Sequence, residues 1–348
     1  MSSYGIEEWT WDILDLTDQL ITTVDTMETG GIIELNVNAD LRGGGRFTMR
    51  QGASDIDWLK VRLRPWSHDL TTGMSLPWGV YIPVVSQADI SPKGRSWSGT
   101  IVDKTSILNA SGPLETYSVA SGTQIIPLVV SIIQEQADSR IASTPSDATT
   151  SGMMTWDSDA TWLRIINDLL DAAHYFAIST DRWGQWRIDP YVLPASRGVR
   201  HAFTPGIDSI HLPSFASVRD ETNVPNRVRC IGQADGENQP LVGVAINENP
   251  LSRYSVQQRG RIIEKRYDNV EASDQATLNA IAQRRLVEAS SPGQTMEGVN
   301  HRVVDLWLND VVRFSDGGVE TLATVDKMTV TCTPGKLVES AFRGVADL

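Results

Sequence analysis

The stretch that decides the fold comprises residues 160–194 and reads ATWLRIINDLLDAAHYFAISTDRWGQWRIDPYVLP. Its first half has apolar residues at the three- and four-residue spacing of an amphipathic helix, which buries one face against a core. The predicted buried face consists of Trp162, Ile166, Leu169, Leu170 and Ala173. A polar side chain just before the helix is expected to cap its N-terminus by accepting backbone hydrogen bonds. The candidates for this cap are Asp157, Ser158 and Asp159.

The second half of this stretch alternates apolar and polar residues, which predicts a β-hairpin. YFAIST and QWRIDPYV are the strands, and DRWG is the turn between them. Gly184 is expected to adopt the left-handed conformation there, because glycine has no Cβ to oppose it. A helix that leads into a hairpin forms an α/β unit, which differs from the sequence on either side.

Both flanks of this unit read as β-structure. In the first flank, WLKVRLRPW predicts a strand with Leu59, Val61 and Leu63 on one face and Lys60, Arg62 and Arg64 on the other. The three glycines of LRGGGRF predict a sharp reversal or bend within the sheet. In the last flank, turn signals separate apolar strands at Asn309-Asp310, at residues 316–318 and at Pro334-Gly335.

Two further helices are predicted outside the central stretch. One covers residues 121–137 and has Pro127 near its first turn, where proline is tolerated. The other covers residues 273–289, with Ser273 as a possible cap. Its apolar stripe consists of Leu278, Ile281, Ala282 and Leu286.

The predicted fold class is therefore mainly β with an α/β insertion (α+β), with two β-barrel-like tube domains and a helix-hairpin insertion domain. Residues 1–112 are assigned to the first β-barrel-like domain and residues 113–222 to the insertion. Residues 223–348 are assigned to the second β-barrel-like domain, which carries a peripheral helix.

Composition argues against several classes of protein. With 43 acidic and 30 basic residues the net charge is −13, which disfavours binding to nucleic acid through phosphate neutralisation. No apolar run is long enough to predict a membrane span. The two cysteines, Cys230 and Cys332, lie in apolar strand-like runs and are interpreted as buried free thiols, although a single disulfide stays possible.

The search for reactive groups predicts no catalytic, cofactor-binding or metal-ligating residue and no cofactor. The carboxylate pairs Asp55/Asp57 and Asp157/Asp159 also suit turns and helix caps, which is the favoured interpretation. Ser209 and His211 are close in sequence but lack a third catalytic group and an oxyanion hole. His174 directly follows the amphipathic helix and is interpreted as a capping or packed histidine.

The tryptophans leave two interpretations open. Trp183 and Trp186 in the hairpin, and Trp9 and Trp11 on one early strand face, could offer aromatic surfaces to sugar rings. At the same spacing they could instead pack against a helix or a neighbouring subunit, which is the favoured interpretation.

Three motifs occur in the same order as in a known family. The first is W-L-x-x-I-N-x-L-L-x-A-A-x-Y, followed by a D-x-x-G turn and R-x-D-P-Y-x-x-P. The second is VPNRVRCIGQ at residues 224–233, and the third is a helix followed by a strand pair around LNDVVRF. The residues of the first motif are Trp162, Leu163, Ile166, Asn167, Leu169, Leu170, Ala172, Ala173, Tyr175, Asp181, Gly184, Arg187, Asp189, Pro190, Tyr191 and Pro194.

In these motifs the chain resembles bacteriophage tail hub proteins, the minor tail or baseplate hub proteins of long-tailed phages, especially those of actinobacteria. That family tends to have a Gly-Asp turn where this chain has Asn309-Asp310. The resemblance implies a structural protein of the virion tail tip, made in the host cytoplasm. Three copies would form a homotrimeric ring around a DNA channel.

The implied partners are the distal tail protein or tail tube, the tape measure protein, and tip or receptor-binding proteins. Neither sequence-specific nucleic-acid binding nor enzymatic activity is implied. The alternative function is that of a cell-wall carbohydrate-binding or glycan-hydrolysing phage protein, which would use the tryptophans for sugar and an aspartate pair for hydrolysis.

Overall fold

The computed structural model describes the chain between residues 7 and 345, except for several short segments. The described ranges are 7–25, 30–50, 56–91, 94–204, 206, 209–210, 216–218, 223–232, 240–272, 274–290, 295–303, 305–316 and 319–345. Among the predicted features, Asp55, His211, Ser273 and the glycines of the 316–318 turn lie outside these ranges.

The first part of the chain consists of strands. They are β1 (Glu7–Leu14), β2 (Leu20–Asp25), β3 (Gly30–Asn36), β4 (Gly43–Arg50), β5 (Arg62–Asp69), β6 (Met74–Pro77), β7 (Tyr81–Ser91) and β8 (Gly94–Asp103).

The middle part mixes helices with short strands. Its elements are α1 (Ser106–Asn109), β9 (Tyr117–Val119), α2 (Ile125–Gln136), β10 (Ile141–Ser143), β11 (Met154–Trp156), α3 (Trp162–Ala172), β12 (Ser179–Thr180), β13 (Trp186–Ile188), a 3-10 turn (Pro194–Ser196) and β14 (Val199–Phe203).

The last part returns to strands and contains one long helix. Its elements are β15 (Ala216–Val218), β16 (Arg227–Gly232), β17 (Val242–Ile246), α4 (Val256–Arg259), β18 (Glu264–Val270), α5 (Gln275–Ser290), β19 (Thr295–Asn300), β20 (Val311–Asp316), β21 (Val319–Thr331) and β22 (Val338–Gly344). The predicted class, mainly β with an α/β insertion, is confirmed.

Strands from both ends of the chain form one sheet. Its main path runs β15-β19-β22-β21-β3-β4-β8-β7-β5-β1-β2, with β20, β14 and β6 paired beside it. The two ends join where β3 pairs antiparallel with β21, placing Ile33 opposite Val330. The structure thus connects the two β-rich ends by backbone hydrogen bonds as well as by side-chain packing.

Three hydrophobic cores accompany this topology. The first lies on the large sheet and combines aromatic residues of both ends, including Trp9, Trp11 and Phe342. The second belongs to the middle part and is built around α2 and α3. The third packs α5 against the three-stranded sheet β17-β16-β18. Burial of apolar area in each core supplies its main favourable free energy.

The predicted helices are present where their periodicity is strong. Pro127 lies in the first turn of α2, and Leu278, Ile281, Ala282 and Leu286 of α5 are all fully buried. In α3, Ile166, Leu169 and Leu170 are buried as predicted, and so is Ile165, whereas Trp162 is only half-buried. The cap prediction was wrong: Thr161 is the N-cap, and its hydroxyl accepts a hydrogen bond from the Arg164 amide at 3.2 Å.

The glycine-rich segment LRGGGRF was predicted wrongly as a reversal. Its glycines begin β4, and the chain reverses before them, over residues 37–41. Gly45 has φ +149°, and a Cβ there would lie 1.9 Å from the Ile32 carbonyl oxygen. The glycine therefore permits close approach of β3 and β4 rather than a turn.

The alternation predicted for WLKVRLRPW holds only from Val61 onward. Val61 and Leu63 are buried, but Leu59 precedes the strand and is 91% exposed. Arg62 lies on the opposite face as predicted, yet it is almost fully buried. The turns at Asn309-Asp310 and at Pro334-Gly335 are present, with Asn309 and Gly335 both left-handed.

Cys230 and Cys332 are buried free thiols, which confirms the favoured interpretation. Burial raises the pKa of both thiols. None of the helices in the described part of the chain combines the length and apolar character that a membrane span requires.

Candidate functional site

The turn of the insertion hairpin reaches between the two β-rich ends. The Asp181 carboxylate shapes this turn by accepting hydrogen bonds from the backbone amides of Trp183 and Gln185, at 2.9 and 3.0 Å. The Arg182 carbonyl accepts a hydrogen bond from the Gly79 amide at 3.1 Å. One short turn thus contacts the first β-rich end through its backbone.

The Arg182 side chain connects the turn to the other end. Its guanidinium lies 5.2 Å from the ring centre of Trp78 and 4.5 Å from that of Trp307, an arrangement favourable for cation–π attraction. Its Nη2 donates to the Leu306 carbonyl at 2.6 Å. Burial lowers the Arg182 pKa to about 10, against the opposing effect of nearby carboxylates.

Gly184 completes the turn and confirms the prediction of a left-handed residue, with φ +77°. A Cβ at this position would lie 2.6 Å from Val80 Cγ2, so the first β-rich end packs directly on the turn backbone. The Gly184 carbonyl accepts a hydrogen bond from Lys104 Nζ at 2.9 Å.

Lys104 belongs to a buried ion cluster between the first β-rich end and the insertion. Its ammonium contacts Asp18 at 2.7 Å and Asp138 at 2.6 Å, and the side chains of Lys104 and Asp18 have no exposed area. Asp18 also accepts from Arg62 at 2.6 Å and from Arg140 at 2.9 Å. The cluster comprises Asp18, Arg62, Lys104, Asp138 and Arg140.

Each charge of this cluster has an opposite partner, as burial requires. Burial alone would raise the pKa of Asp138, but the hydrogen bond and charge of Lys104 outweigh it, and the Asp138 pKa lies below its ordinary value. Asp18 sits in the β1–β2 turn with φ +65°. The ion pairs of this cluster attach the insertion to the first β-rich end. The cluster does not place a nucleophile next to a general base, as a catalytic site would.

A second ion cluster attaches the insertion to α5. Asp171 of α3 contacts Arg284 and, at 3.1 Å, Arg285. Arg284 also donates to Glu288 at 3.2 Å and to the Tyr175 carbonyl at 3.2 Å. This helix cluster, Asp171, Arg284, Arg285 and Glu288, is partly exposed to solvent.

The tryptophans considered for sugar binding are mostly inaccessible. Trp9, Trp11 and Trp186 are at most 2% exposed, so they cannot stack on a sugar ring. Trp183 is 45% exposed, but its ring stands edge-on against Trp66 at 5.2 Å. The packing interpretation therefore holds for the three buried rings.

The carboxylate and histidine candidates do not converge on a site. Asp157 and Asp159 are exposed in a turn before α3, and Asp57 is exposed beside Lys60. His174 packs against the Tyr191 ring at 5.4 Å, and burial, together with the Arg284 charge, lowers its pKa. Within the described residues, no cluster of three or more His, Cys, Asp or Glu side chains is arranged to hold a metal ion.

Several residues of the sequence motifs have structural roles. Asn167 accepts a hydrogen bond from the Ile178 amide at 2.9 Å, which joins α3 to the hairpin. The Tyr175 hydroxyl donates to the Thr144 carbonyl at 2.9 Å. In the second motif the Asn226 side chain donates to the Arg261 carbonyl and accepts from the Ile263 amide, at 2.9 and 2.8 Å. Each of these side chains satisfies hydrogen-bonding groups of the backbone.

Sequence reasoning missed the residues of the buried ion cluster. Asp18 and Asp138 look like ordinary turn residues in their local context. The available signal was Lys104, which lies between the apolar pairs Ile101-Val102 and Ile107-Leu108, because a lysine near apolar residues that become buried needs a buried partner.

Comparison with solved structures finds the same fold in tail proteins, two of which come from prophages. A tail protein from Neisseria meningitidis MC58 superposes with a TM-score of 0.67 at 11% identity, covering 98% of this chain and 97% of that one. The 43 kDa tail protein of prophage MuSo2 from Shewanella oneidensis gives 0.64 at 12% identity, with 97% and 98% covered. Prophage tail protein gp18 from Listeria monocytogenes EGD-e gives 0.58 at 11% identity, with 98% and 95% covered.

No protein-family model matches the chain, and no curated protein matches it in sequence. At these identities the superpositions establish the fold of the chain, which extends over nearly the whole length of each tail protein.

Proposed function

We propose that this protein is the structural hub at the distal end of a phage tail, where it connects the tail tube to tip or receptor-binding proteins. The observation that carries the proposal is the superposition of nearly the entire chain on whole tail proteins. Domain bounds at residues 112 and 222, an actinobacterial host, and contacts with distal tail and tape measure proteins stay predictions.

The protein would have a structural role, as a rigid connector between its neighbours, rather than a catalytic one. Support comes from the junctions: the hairpin turn, the buried ion cluster and the helix cluster attach the insertion at three places. A subunit attached in this way transmits force between its neighbours without relative movement of its parts. Bacterial cell walls in a zymogram are expected to stay intact in its presence.

Three copies would form a ring around the DNA channel. Among the strands that the structure describes, β2, the last strand of the main sheet path, pairs only with β1, and its Leu20 and Ile21 are each 58% exposed. Such an edge favours pairing with another chain, so a neighbouring subunit is the expected cover. Three copies would carry three times the −13 charge of one chain, and an acidic channel wall would repel DNA during passage.

Imaging of the virion tail tip tests this proposal. We expect threefold density at the distal end of the tail into which three copies of the chain fit, with an acidic inner wall. A different symmetry, absence of the chain from the tip, or a strongly basic wall would contradict it. A Leu20→Lys, Ile21→Lys variant should leave the fold intact and abolish incorporation into particles. Leu114→Lys, at a residue that is 98% exposed in the loop before β9, should not abolish incorporation.

A further inference from the structure

A cavity of about 300 Å³ lies where the insertion, α5 and both β-rich ends meet. Four arginines from separate parts of the chain line it, together with two carboxylates. This arginine cavity is defined by Arg42, Arg197, Arg284, Arg343, Glu288 and Asp326. Such a concentration of cations is unusual in a chain with a net charge of −13.

The two carboxylates of the cavity are already engaged. Glu288 pairs with Arg284 Nε at 3.2 Å, and Asp326 pairs with Arg343 Nη2 at 2.7 Å. Arg284 is further neutralised by Asp171 of the helix cluster. Two of the four arginines therefore have their charge compensated by the protein itself.

Arg42 and Arg197 differ from these two. Arg197 donates to the carbonyls of Val192 and Asn309, at 2.7 and 2.9 Å, and forms no ion pair within the described ranges. Arg42 is half-buried and forms neither an ion pair nor a side-chain hydrogen bond with any residue that the structure describes. Carbonyl oxygens satisfy the N–H donors of Arg197, and the rings of Phe176 and Tyr191 lie 5.0 and 5.5 Å from its guanidinium, but none of these contacts supplies a formal negative charge.

Burial lowers the pKa of both of these arginines, with Asp103 opposing the shift at Arg42 and Tyr191 opposing it at Arg197. A cation that loses hydration without contacting an anion is destabilised. An anion bound in the cavity would remove that cost at both side chains.

We propose that the arginine cavity binds a small oxyanion, a carboxylate or a phosphate group, held by Arg42 and Arg197. Guanidinium groups present two parallel N–H donors that match the paired oxygens of these groups. Because Arg42 belongs to the first β-rich end and Arg197 to the insertion, the bound oxyanion ties these two parts together. The inference is independent of the hub proposal.

Calorimetry on the full chain tests this inference with inorganic phosphate and acetate as probes, in a chloride background of matched ionic strength. We expect saturable binding of at least one probe and about tenfold weaker binding by Arg42→Gln, since a charge-assisted hydrogen bond is lost. The affinity of Arg42→Lys should lie between those of the unaltered protein and Arg42→Gln, because lysine keeps the positive charge but lacks the two parallel N–H donors of the guanidinium. Phosphate binding without acetate binding identifies a phosphate site, and binding of both identifies a general oxyanion site.

Arg266→Gln is the matched control, since Arg266 is an exposed arginine paired with Asp268 on β18, away from the cavity. It changes the net charge equally and should bind like the unaltered protein. Equal weakening by both variants, or no binding beyond the chloride control, would overturn the inference. A crystal of the unaltered chain soaked in phosphate gives a check that needs no variant: density beside Arg42 and Arg197 supports the site, and its absence refutes it.

Discussion

The buried ion cluster and the helix cluster attach the same insertion to the rest of the molecule, but in different dielectric surroundings. Lys104 and Asp18 have no exposed side-chain area, whereas Asp171 of the helix cluster is 31% exposed. A buried pair is costly to form and costlier to break, while a pair near water contributes little either way. The number of ion pairs at each attachment is therefore a poor guide to how strongly it holds.

The largest effect is expected for Asp18→Asn. It leaves Lys104, Arg62 and Arg140 facing only Asp138, and removal of one partner from a buried cluster costs about 3–5 kcal/mol of unfolding free energy. Asparagine retains the tolerance for the left-handed backbone that Asp18 adopts. Urea denaturation measures the loss, with the exposed Asp147→Asn as control. Equal midpoints for the two variants would show that the buried cluster does not stabilise the fold.

Gly184→Ala should have the next largest effect, about 2 kcal/mol, because the new methyl group would overlap Val80. Gly122→Ala is a close control: Gly122 also has a left-handed φ, +81°, but a Cβ there meets nothing within 4 Å. The difference between the two thermal midpoints isolates the clash from the backbone strain. If the two variants lose equal stability, the turn does not pack tightly on the first β-rich end.

Asp171→Asn is expected to cost about 1 kcal/mol, since the pairs it breaks are partly hydrated. High salt should shrink this loss, because mobile ions screen exposed charges more than buried ones. Denaturation at low and high sodium chloride, performed in parallel on Asp18→Asn, tests the contrast. A salt response of equal size in both variants would remove the distinction between the clusters.

The smallest expected effect is on how the stability of the fold depends on pH in the acidic range. The Asp138 pKa is lowered in the folded state, so the unfolded chain takes up a proton first as the pH falls. The stability contributed by Asp138 is complete above the ordinary pKa of an aspartate, and it is lost as the pH falls through the lowered pKa of the folded state. Asp138→Asn should therefore show a shallower decline in stability over that range than the unaltered protein or the exposed Asp159→Asn. Parallel declines would contradict this assignment.

Local periodicity was enough to predict α2, α3, α5 and the Gly184 turn, because each depends on neighbours a few residues away. It failed at LRGGGRF, where Gly45 is required because the Ile32 carbonyl of the neighbouring strand leaves no room for a Cβ. It could not find the sandwich of Arg182 between Trp78 and Trp307 for the same reason. The fold class could be predicted from the sequence. The contacts that attach its parts could not, because they join residues that are far apart in the chain.

The pairing of β3 with β21 has a consequence for synthesis of the chain. Residue 33 finds its partner only when residue 330 has emerged from the ribosome, while the core around α2 and α3 closes within residues 108–188. Non-local pairing of this kind is slow and leaves strands open to wrong neighbours in the meantime. A nascent chain interrupted before β21 would thus carry a finished insertion beside an unfinished, aggregation-prone sheet.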